Sequence, residues 1–251
     1  DNFATIVAAV REGRVILDNI RKFLRYLLSS NMGEVLAVFL GVIGAGLFGL
    51  SDPQGGIVLP LLATQLLWIN LLTDAAPALA MGIDPQTEDV MARRPRRPEE
   101  PMIDARMWSE VLLTGLVMAL ATLLTIDLFL PGGLIDGQAD LATARTAGFT
   151  VLVFAQLFNC FCARSATVSA FHRPFDNRWL WGAVGLSALL QVAVVHVVFL
   201  NAAFGTVPLT PGQWLVCIAM SSLVLWASEL RKLALRMVAR HEATNSARLN
   251  D

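Results

Sequence analysis

The apolar stretch at residues 65–81 decides the fold class, and it reads Gln-Leu-Leu-Trp-Ile-Asn-Leu-Leu-Thr-Asp-Ala-Ala-Pro-Ala-Leu-Ala-Met. A carboxylate, Asp74, lies near its middle. An Asp at the centre of a membrane helix costs roughly 2.5 to 3.5 kcal/mol, so such residues usually mark an ion path or a substrate site. Asn70, Thr73 and Asp74 are spaced i, i+3 and i+4, which places them on one helix face. Because Pro77 has no N–H, we expect the Thr73 carbonyl to lose its helical partner and turn toward a ligand or water.

The chain as a whole is apolar enough for a membrane protein. Hydrophobic residues make up 55% of the 251 positions and the mean hydropathy is +0.60, whereas soluble domains contain about 45 to 50% apolar residues. Six apolar stretches have spanning length: residues 27–50, 57–82, 108–130, 146–163, 179–201 and 212–229. The sequence therefore predicts an all-α fold, a polytopic membrane helix bundle with six transmembrane helices and a cytoplasmic helical stalk.

The positions of Lys and Arg predict the orientation of this bundle, since both accumulate in cytoplasmic segments. Of the 19 basic residues, only Arg145 falls in a loop on the far side, so both termini are expected in the cytoplasm. Seventeen of the 19 are arginine, which hints at a bacterial source and hence a bacterial plasma membrane. No composition signal indicates a nucleic-acid partner; the lipid bilayer is the expected one.

Three segments divide the chain: a stalk at residues 1–26, a membrane domain at residues 27–230 and a basic cytoplasmic tail at residues 231–251. No Gly or Pro breaks the helical spacing between Gly13 and the first span, so the stalk is suited to carry force into the membrane. Alternatively it binds anionic lipid through four basic side chains: Arg14, Arg21, Lys22 and Arg25.

Small residues recur every four positions along the first span: Gly33, Ala37, Gly41, Ala45 and Gly49. Gly115 and Ala119 form a similar patch on the third span. Small residues let helices approach closely, which predicts a tight crossing of the first and third spans. The competing interpretation is a GxxxG face that dimerises with a second copy.

Further polar pairs lie in other spans, and together they indicate a hard cation. Asn31 and Glu34 are spaced i, i+3 on the first span, as are Gln156 and Asn159 on the fourth. Two carboxylates at close range need a cation between them or a proton on one. Carboxylates, amides, hydroxyls and carbonyls are the ligands of calcium, whereas soft metals need Cys or His. The alternative is a buried polar network that only fixes helix register.

With these residues the chain resembles the carboxyl-terminal membrane region of the P-type cation-transporting ATPases, most closely their calcium pumps. Residues 1–14 resemble the end of the phosphorylation domain and its stalk, residues 25–34 the family's fifth membrane helix, and Gln65–Gly82 its sixth. The Pro-rich loop through Glu-Glu-Pro-Met-Ile at residues 99–103 follows the same pattern.

The resemblance implies a set of ligands for the transported cation: Asn31, Glu34, Asn70, Thr73, Asp74 and Gln156. Two-calcium pumps have an acid at the position of Gln156, whereas the plasma-membrane type has Gln, so one calcium per cycle is implied. The chain opens at Asp1, and we expect it to be part of a longer protein. Actuator, nucleotide-binding and phosphorylation domains would lie upstream and bind Mg-ATP, so no catalytic residue is assigned in this chain.

Two other interpretations stay open. In the first, a P-type pump of the same architecture transports manganese or sodium instead of calcium. A second class of protein, a stand-alone six-helix channel, secondary transporter or regulatory module without ATPase activity, would lack an upstream phosphorylation motif. Secondary transporters often contain an inverted repeat, and none is evident here.

Overall fold

A computed structural model describes residues 3–50, 58–86, 89–92, 101–135 and 137–248. Within these ranges the regular structure is entirely helical, which confirms the predicted all-α class. The elements are α1 (Phe3–Ile43), α2 (Ala63–Trp68), a π-helical turn (Ile69–Thr73), α3 (Ala75–Gly82), α4 (Ala105–Phe129), α5 (Leu141–Cys162), α6 (Arg178–His196), α7 (Val198–Phe204), α8 (Pro211–Ser221) and α9 (Leu223–Arg248).

Five helical stretches of the described residues are long and apolar enough to cross a membrane: α1, α4, α5, α6 and the stretch Pro211–Val238 that combines α8 with part of α9. They correspond to five of the six predicted spans. The predicted span at residues 57–82 differs, because it is divided into α2, the π-helical turn and α3. The division falls at the polar residues of that span.

The stalk and the first span form one continuous helix. α1 has 41 residues, so it is about 60 Å long at about 1.5 Å per residue, roughly twice the hydrocarbon thickness of a bilayer. Residues 3–13 are exposed, and burial in α1 begins at Asn19. This continuity suits a helix that leaves the membrane, while the division at residue 26 stays a prediction. At the other end, α9 continues through much of the predicted tail, as far as Arg248.

α1 and α4 cross at closely packed glycines, as the small-residue pattern predicts. A Cβ atom added to Gly33 would lie 2.9 Å from the Sδ atom of Met118. A Cβ atom added to Gly115 would lie 2.7 Å from the Cγ atom of Met32. This part of the glycine ridge is therefore used within the chain rather than for pairing with a second copy.

Short-range sequence signals determine where several helices begin. The N-terminal caps accept hydrogen bonds from backbone N–H groups: Asp104 from Met107, Asp140 from Thr143, Asn177 from Leu180 and Thr210 from Gln213. Such caps are each worth about 1 kcal/mol relative to alanine. They hold the first turns of α4, α5, α6 and α8.

Candidate cation-binding site

The helix type changes within the segment that contains Asp74. The backbone N–H of Asp74 donates to the carbonyl of Ile69, five residues earlier, at 3.0 Å, which is π-helical spacing. Pro77 supplies no N–H to the carbonyl of Thr73, and the hydroxyl of Ser187 on α6 donates to that carbonyl at 2.9 Å. The carbonyl is thus freed from the helical ladder as predicted, but in this structure a side chain of α6 is its partner.

Glu34 joins three elements through its carboxylate. Its Oε2 atom accepts from the Nδ2 atom of Asn70 at 2.6 Å, and its Oε1 atom accepts from the Nε2 atom of Gln156 at 3.0 Å. Only 6% of Glu34 is exposed. A cation stabilises a carboxylate that is buried among neutral donors, so this arrangement is suited to receive a positive charge.

Asp74 is the second buried carboxylate of the cluster. Its Oδ1 atom accepts from the hydroxyl of Tyr26 at 2.7 Å, while its Oδ2 atom is buried and has no hydrogen-bond partner. Asp74 also lies close enough to Glu34 for the two carboxylates to interact electrostatically. Two neighbouring carboxylates favour a cation or a proton between them.

Two buried oxygen atoms of the cluster have no hydrogen-bond partner: Asp74 Oδ2 and Gln156 Oε1. Leaving a buried acceptor unpaired costs about 1 to 3 kcal/mol. Both are hard oxygen donors of the kind that calcium accepts in irregular geometry. The chemistry of the cluster therefore fits the predicted hard cation.

Soft-metal chemistry has no comparable support. Cys160, Cys162 and Cys217 are buried free thiols. Among the described residues, no group of three or more His, Cys, Asp or Glu side chains is placed to hold a metal ion. A cation at this site would instead depend on two carboxylates supplemented by neutral oxygen atoms.

The predicted ligands differ in burial and in their hydrogen-bond partners. Asn31 is exposed and donates to the carbonyl of Leu27 on its own helix at 2.8 Å. The buried hydroxyl of Thr73 donates to the carbonyl of Ile69 at 3.1 Å. The structure directly connects Glu34, Asn70 and Gln156, brings Asp74 within electrostatic range of Glu34, and leaves Asn31 outside these hydrogen bonds.

Sequence reasoning missed two residues that hold the site. Tyr26, the only tyrosine in the chain, shares a face of α1 with Ser30 and Glu34 at spacings of four residues. That spacing was a usable signal. Ser187 had no comparable signal, because its bond to Thr73 depends on how α6 packs against the interrupted helix.

A separate buried carboxylate, Asp84, follows α3 closely. It lies 2.6 Å from the Nζ atom of Lys22 and 3.1 Å from the Nε atom of Arg164, and its side chain is fully buried. The Nδ2 atom of Asn177 donates to it at 2.9 Å. Asp84 therefore ties the stalk part of α1 to the end of the interrupted helix, to the segment after α5 and to the start of α6.

Comparisons with known proteins agree with this architecture. A family model described as "Cation transporting ATPase, C-terminus" matches residues 58–234. A calcium-transporting ATPase of Bacillus subtilis (strain 168) is 40% identical over 223 residues, which cover 89% of this chain and 23% of that protein. A probable calcium-transporting ATPase of Trypanosoma brucei brucei is 34% identical over 229 residues, 83% of this chain and 22% of that protein.

A third relative has a less specific name. The probable cation-transporting ATPase F of Mycobacterium tuberculosis (strain ATCC 25618 / H37Rv) is 35% identical over 225 residues, 89% of this chain and 23% of that protein. The chain thus spans about a quarter of the length of these curated relatives. Since the match extends from the interrupted helix to α9, the chain belongs to the P-type cation-transporting ATPases as a calcium-pump-like carboxyl-terminal membrane region.

Proposed function

We propose that this chain is the ion-transport portion of an ATP-driven pump that exports calcium from the cytoplasm by alternating access. The observation that carries the proposal is the buried carboxylate of Glu34, which is held by amides from two other elements and interacts electrostatically with a second buried carboxylate, Asp74. The names of the relatives from Bacillus subtilis and Trypanosoma brucei brucei support calcium as the ion.

The two carboxylates would supply the charge, and neutral oxygens would complete the shell. Asn70 and Gln156 now turn their N–H groups toward Glu34. Rotating each amide by about half a turn exchanges its N–H₂ for its carbonyl oxygen, which is a cation ligand. Because Gln156 adds no charge, the site is suited to one calcium per cycle, and protons would return on Glu34 and Asp74 after release.

The exposed side of the cluster is where further ligands would join. Asn31 and Asn70 are both exposed, and a membrane helix upstream of this chain would cover them. ATP would be bound and hydrolysed by upstream domains, with α1 carrying their movement to Glu34. Both termini would lie in the cytoplasm.

The ion is tested by phosphorylation of the full-length parent from ATP in separate calcium, manganese, magnesium, sodium and potassium solutions. The proposal expects phosphoenzyme only with calcium, in the micromolar range. Phosphoenzyme that depends on manganese or sodium instead would reassign the ion, and none with any ion would favour a membrane module without pumping activity.

The site is tested with isosteric substitutions in the same protein. Glu34→Gln and Asp74→Asn should each abolish calcium-dependent phosphoenzyme, because each removes a charge from the cluster. Asp140→Asn is the control, since it removes a carboxylate at the exposed start of α5 and should leave calcium dependence unchanged. Calcium dependence that persists in both site variants contradicts the assignment.

A further inference from the structure

A cavity of about 560 Å³ lies beside the stalk part of α1. Its walls come from α1, the first turns of α4, the segment after α5, and α9. Its volume is within the range of about 300 to 1,000 Å³ that is typical of small-molecule sites. None of the predicted cation ligands lines it, so it is a site separate from the one described above.

Basic side chains dominate the described lining. Six cations face three acids, namely Arg21, Lys22, Arg25, Arg106, Arg164 and Arg231 against Asp18, Asp104 and Glu110. Asp84 lies behind the wall and pairs with Lys22 and Arg164, and even with it the cations outnumber the carboxylates. A cleft with an excess of one charge sign concentrates ligands of the opposite sign.

The cavity also contains more hydrogen-bond donors than its acids can satisfy. A single oxygen atom, Oε2 of Glu110, lies 3.2 Å from Nε of Arg25 and 2.7 Å from Nη2 of Arg231. Both nitrogen atoms are buried without a well-oriented hydrogen bond, as is Nε of Arg21. Buried donors that share one carboxylate oxygen without a well-aligned hydrogen bond are only partly satisfied, and a phosphate offers several acceptor oxygens in the geometry that guanidinium groups prefer.

One wall of the cavity is apolar. Leu235 is 42% exposed and Val238 is 57% exposed, and both line it together with Met107. A free phosphate gains nothing from such a wall, whereas a phospholipid places its glycerol and acyl chains there. Basic pockets at the cytoplasmic ends of membrane helices are suited to anionic lipid headgroups.

We propose that this cavity binds the phosphate of an anionic phospholipid from the cytoplasmic leaflet, with Arg25, Arg106 and Arg231 as its cations. This rests on the membrane orientation in the proposed function and not on the identity of the transported ion. The lipid would join α1, which carries Glu34, to α4 and α9.

The test measures lipid binding to the delipidated full-length protein by native mass spectrometry, with phosphatidylglycerol and phosphatidylcholine as probes. The wild-type protein should retain phosphatidylglycerol in preference to phosphatidylcholine. Arg106→Gln and Arg231→Gln should each weaken phosphatidylglycerol binding about fivefold. Arg106 is exposed, so its substitution should leave folding intact. Arg173→Gln is the control, because its side chain is 67% exposed and lies outside the cavity.

Each outcome decides the inference. Equal retention of the two lipids, or unchanged phosphatidylglycerol affinity in both cavity variants, would overturn it. Inorganic phosphate that binds as tightly as phosphatidylglycerol would overturn the choice of a lipid. The assay contains no ATP or calcium, so selective phosphatidylglycerol binding by a protein that proves not to transport calcium would still support the cavity assignment.

Discussion

Two buried carboxylates distinguish the candidate site: Asp74 at the interrupted helix and Glu34 on α1. Asp74 and Glu34 were identifiable from the sequence because a carboxylate inside an apolar span is rare. Their hydrogen-bond partners were not, since Gln156 lies 122 positions from Glu34 along the chain. Asn31 stays a predicted ligand, because its side chain is exposed and its amide donates to the carbonyl of Leu27 on its own helix.

Ser187→Ala tests the support of the interrupted helix. The substitution removes the hydroxyl that donates to the Thr73 carbonyl, and Ser187 is fully buried. The free energy of unfolding should fall by about 1 to 3 kcal/mol, because a buried acceptor loses its partner. Denaturant unfolding of the full-length protein in detergent measures this, and calcium-dependent phosphorylation should require more calcium.

The matched control for that variant is Ser222→Ala. The Ser222 hydroxyl is exposed and donates to the carbonyl of Ala219 in its own chain segment at 2.7 Å. Its loss should change the free energy of unfolding by no more than about 0.5 kcal/mol. Equal effects of the two substitutions would show that the Thr73 carbonyl does not need Ser187.

At the scale of elements, helix crossings and buried ion pairs hold the bundle together. The α1–α4 crossing followed from the four-residue spacing of small residues, and the close approach of Gly33 to Met118 agrees with it. Pro77 predicts only part of the interruption between α2 and α3. Proline accounts for the lost hydrogen bond, whereas the π-helical turn before it had no sequence signal.

Gly115→Ala tests the crossing. The added methyl group would lie 2.7 Å from Met32 Cγ and 3.0 Å from the backbone nitrogen of Gly33. Overpacking of this kind should lower the free energy of unfolding by about 1 to 3 kcal/mol. Gly185→Ala on α6 has no neighbouring atom within 4 Å of the added methyl, so it should be neutral or slightly stabilising by its helix propensity. The same unfolding assay compares the two variants.

Asp84→Ala tests the buried tie between the stalk and the interrupted helix. It would remove the carboxylate from Lys22 and Arg164, which are 2% and 7% exposed. Breaking such a pair typically lowers stability by about 3 to 5 kcal/mol, because buried charge is left uncompensated. We expect the unfolding midpoint to fall, or folded protein to be lost from size-exclusion profiles.

The surface pair of Arg173 with Asp176, at 3.0 Å, provides the comparison. Asp176→Ala should lower the free energy of unfolding by less than about 1 kcal/mol, since exposed pairs contribute little. If Asp84→Ala were as mild as Asp176→Ala, Asp84 would not be an important tie between these elements.

At the scale of the whole molecule, cation binding should couple separate elements, because Glu34, Asn70, Asp74 and Gln156 come from α1, the interrupted helix and α5. A ligand that binds only the folded state adds about 2.7 kcal/mol at 100 times its dissociation constant. Calcium should therefore raise the unfolding temperature of the full-length protein, and chelation should reverse the rise. Differential scanning fluorimetry in detergent measures it.

Site variants distinguish specific binding from a general ion effect in that assay. Glu34→Gln should lose the calcium-dependent rise, whereas Asp140→Asn should keep it. A rise of the same size with magnesium, or in Glu34→Gln, would contradict a calcium site at this cluster.

Sequence reasoning alone predicted the helical membrane class, most of the spans, the α1–α4 crossing and the two carboxylates of the candidate site. Each of these depends on composition or on periodicity within one segment, which local chemistry specifies. The tertiary contacts were needed to show that Gln156 donates to Glu34, that Ser187 donates to the Thr73 carbonyl, that Asp84 pairs with Lys22 and Arg164, and that Asn31 is exposed in this chain. These outcomes depend on the rotation and tilt of one helix against another, which residue spacing along a single helix does not specify.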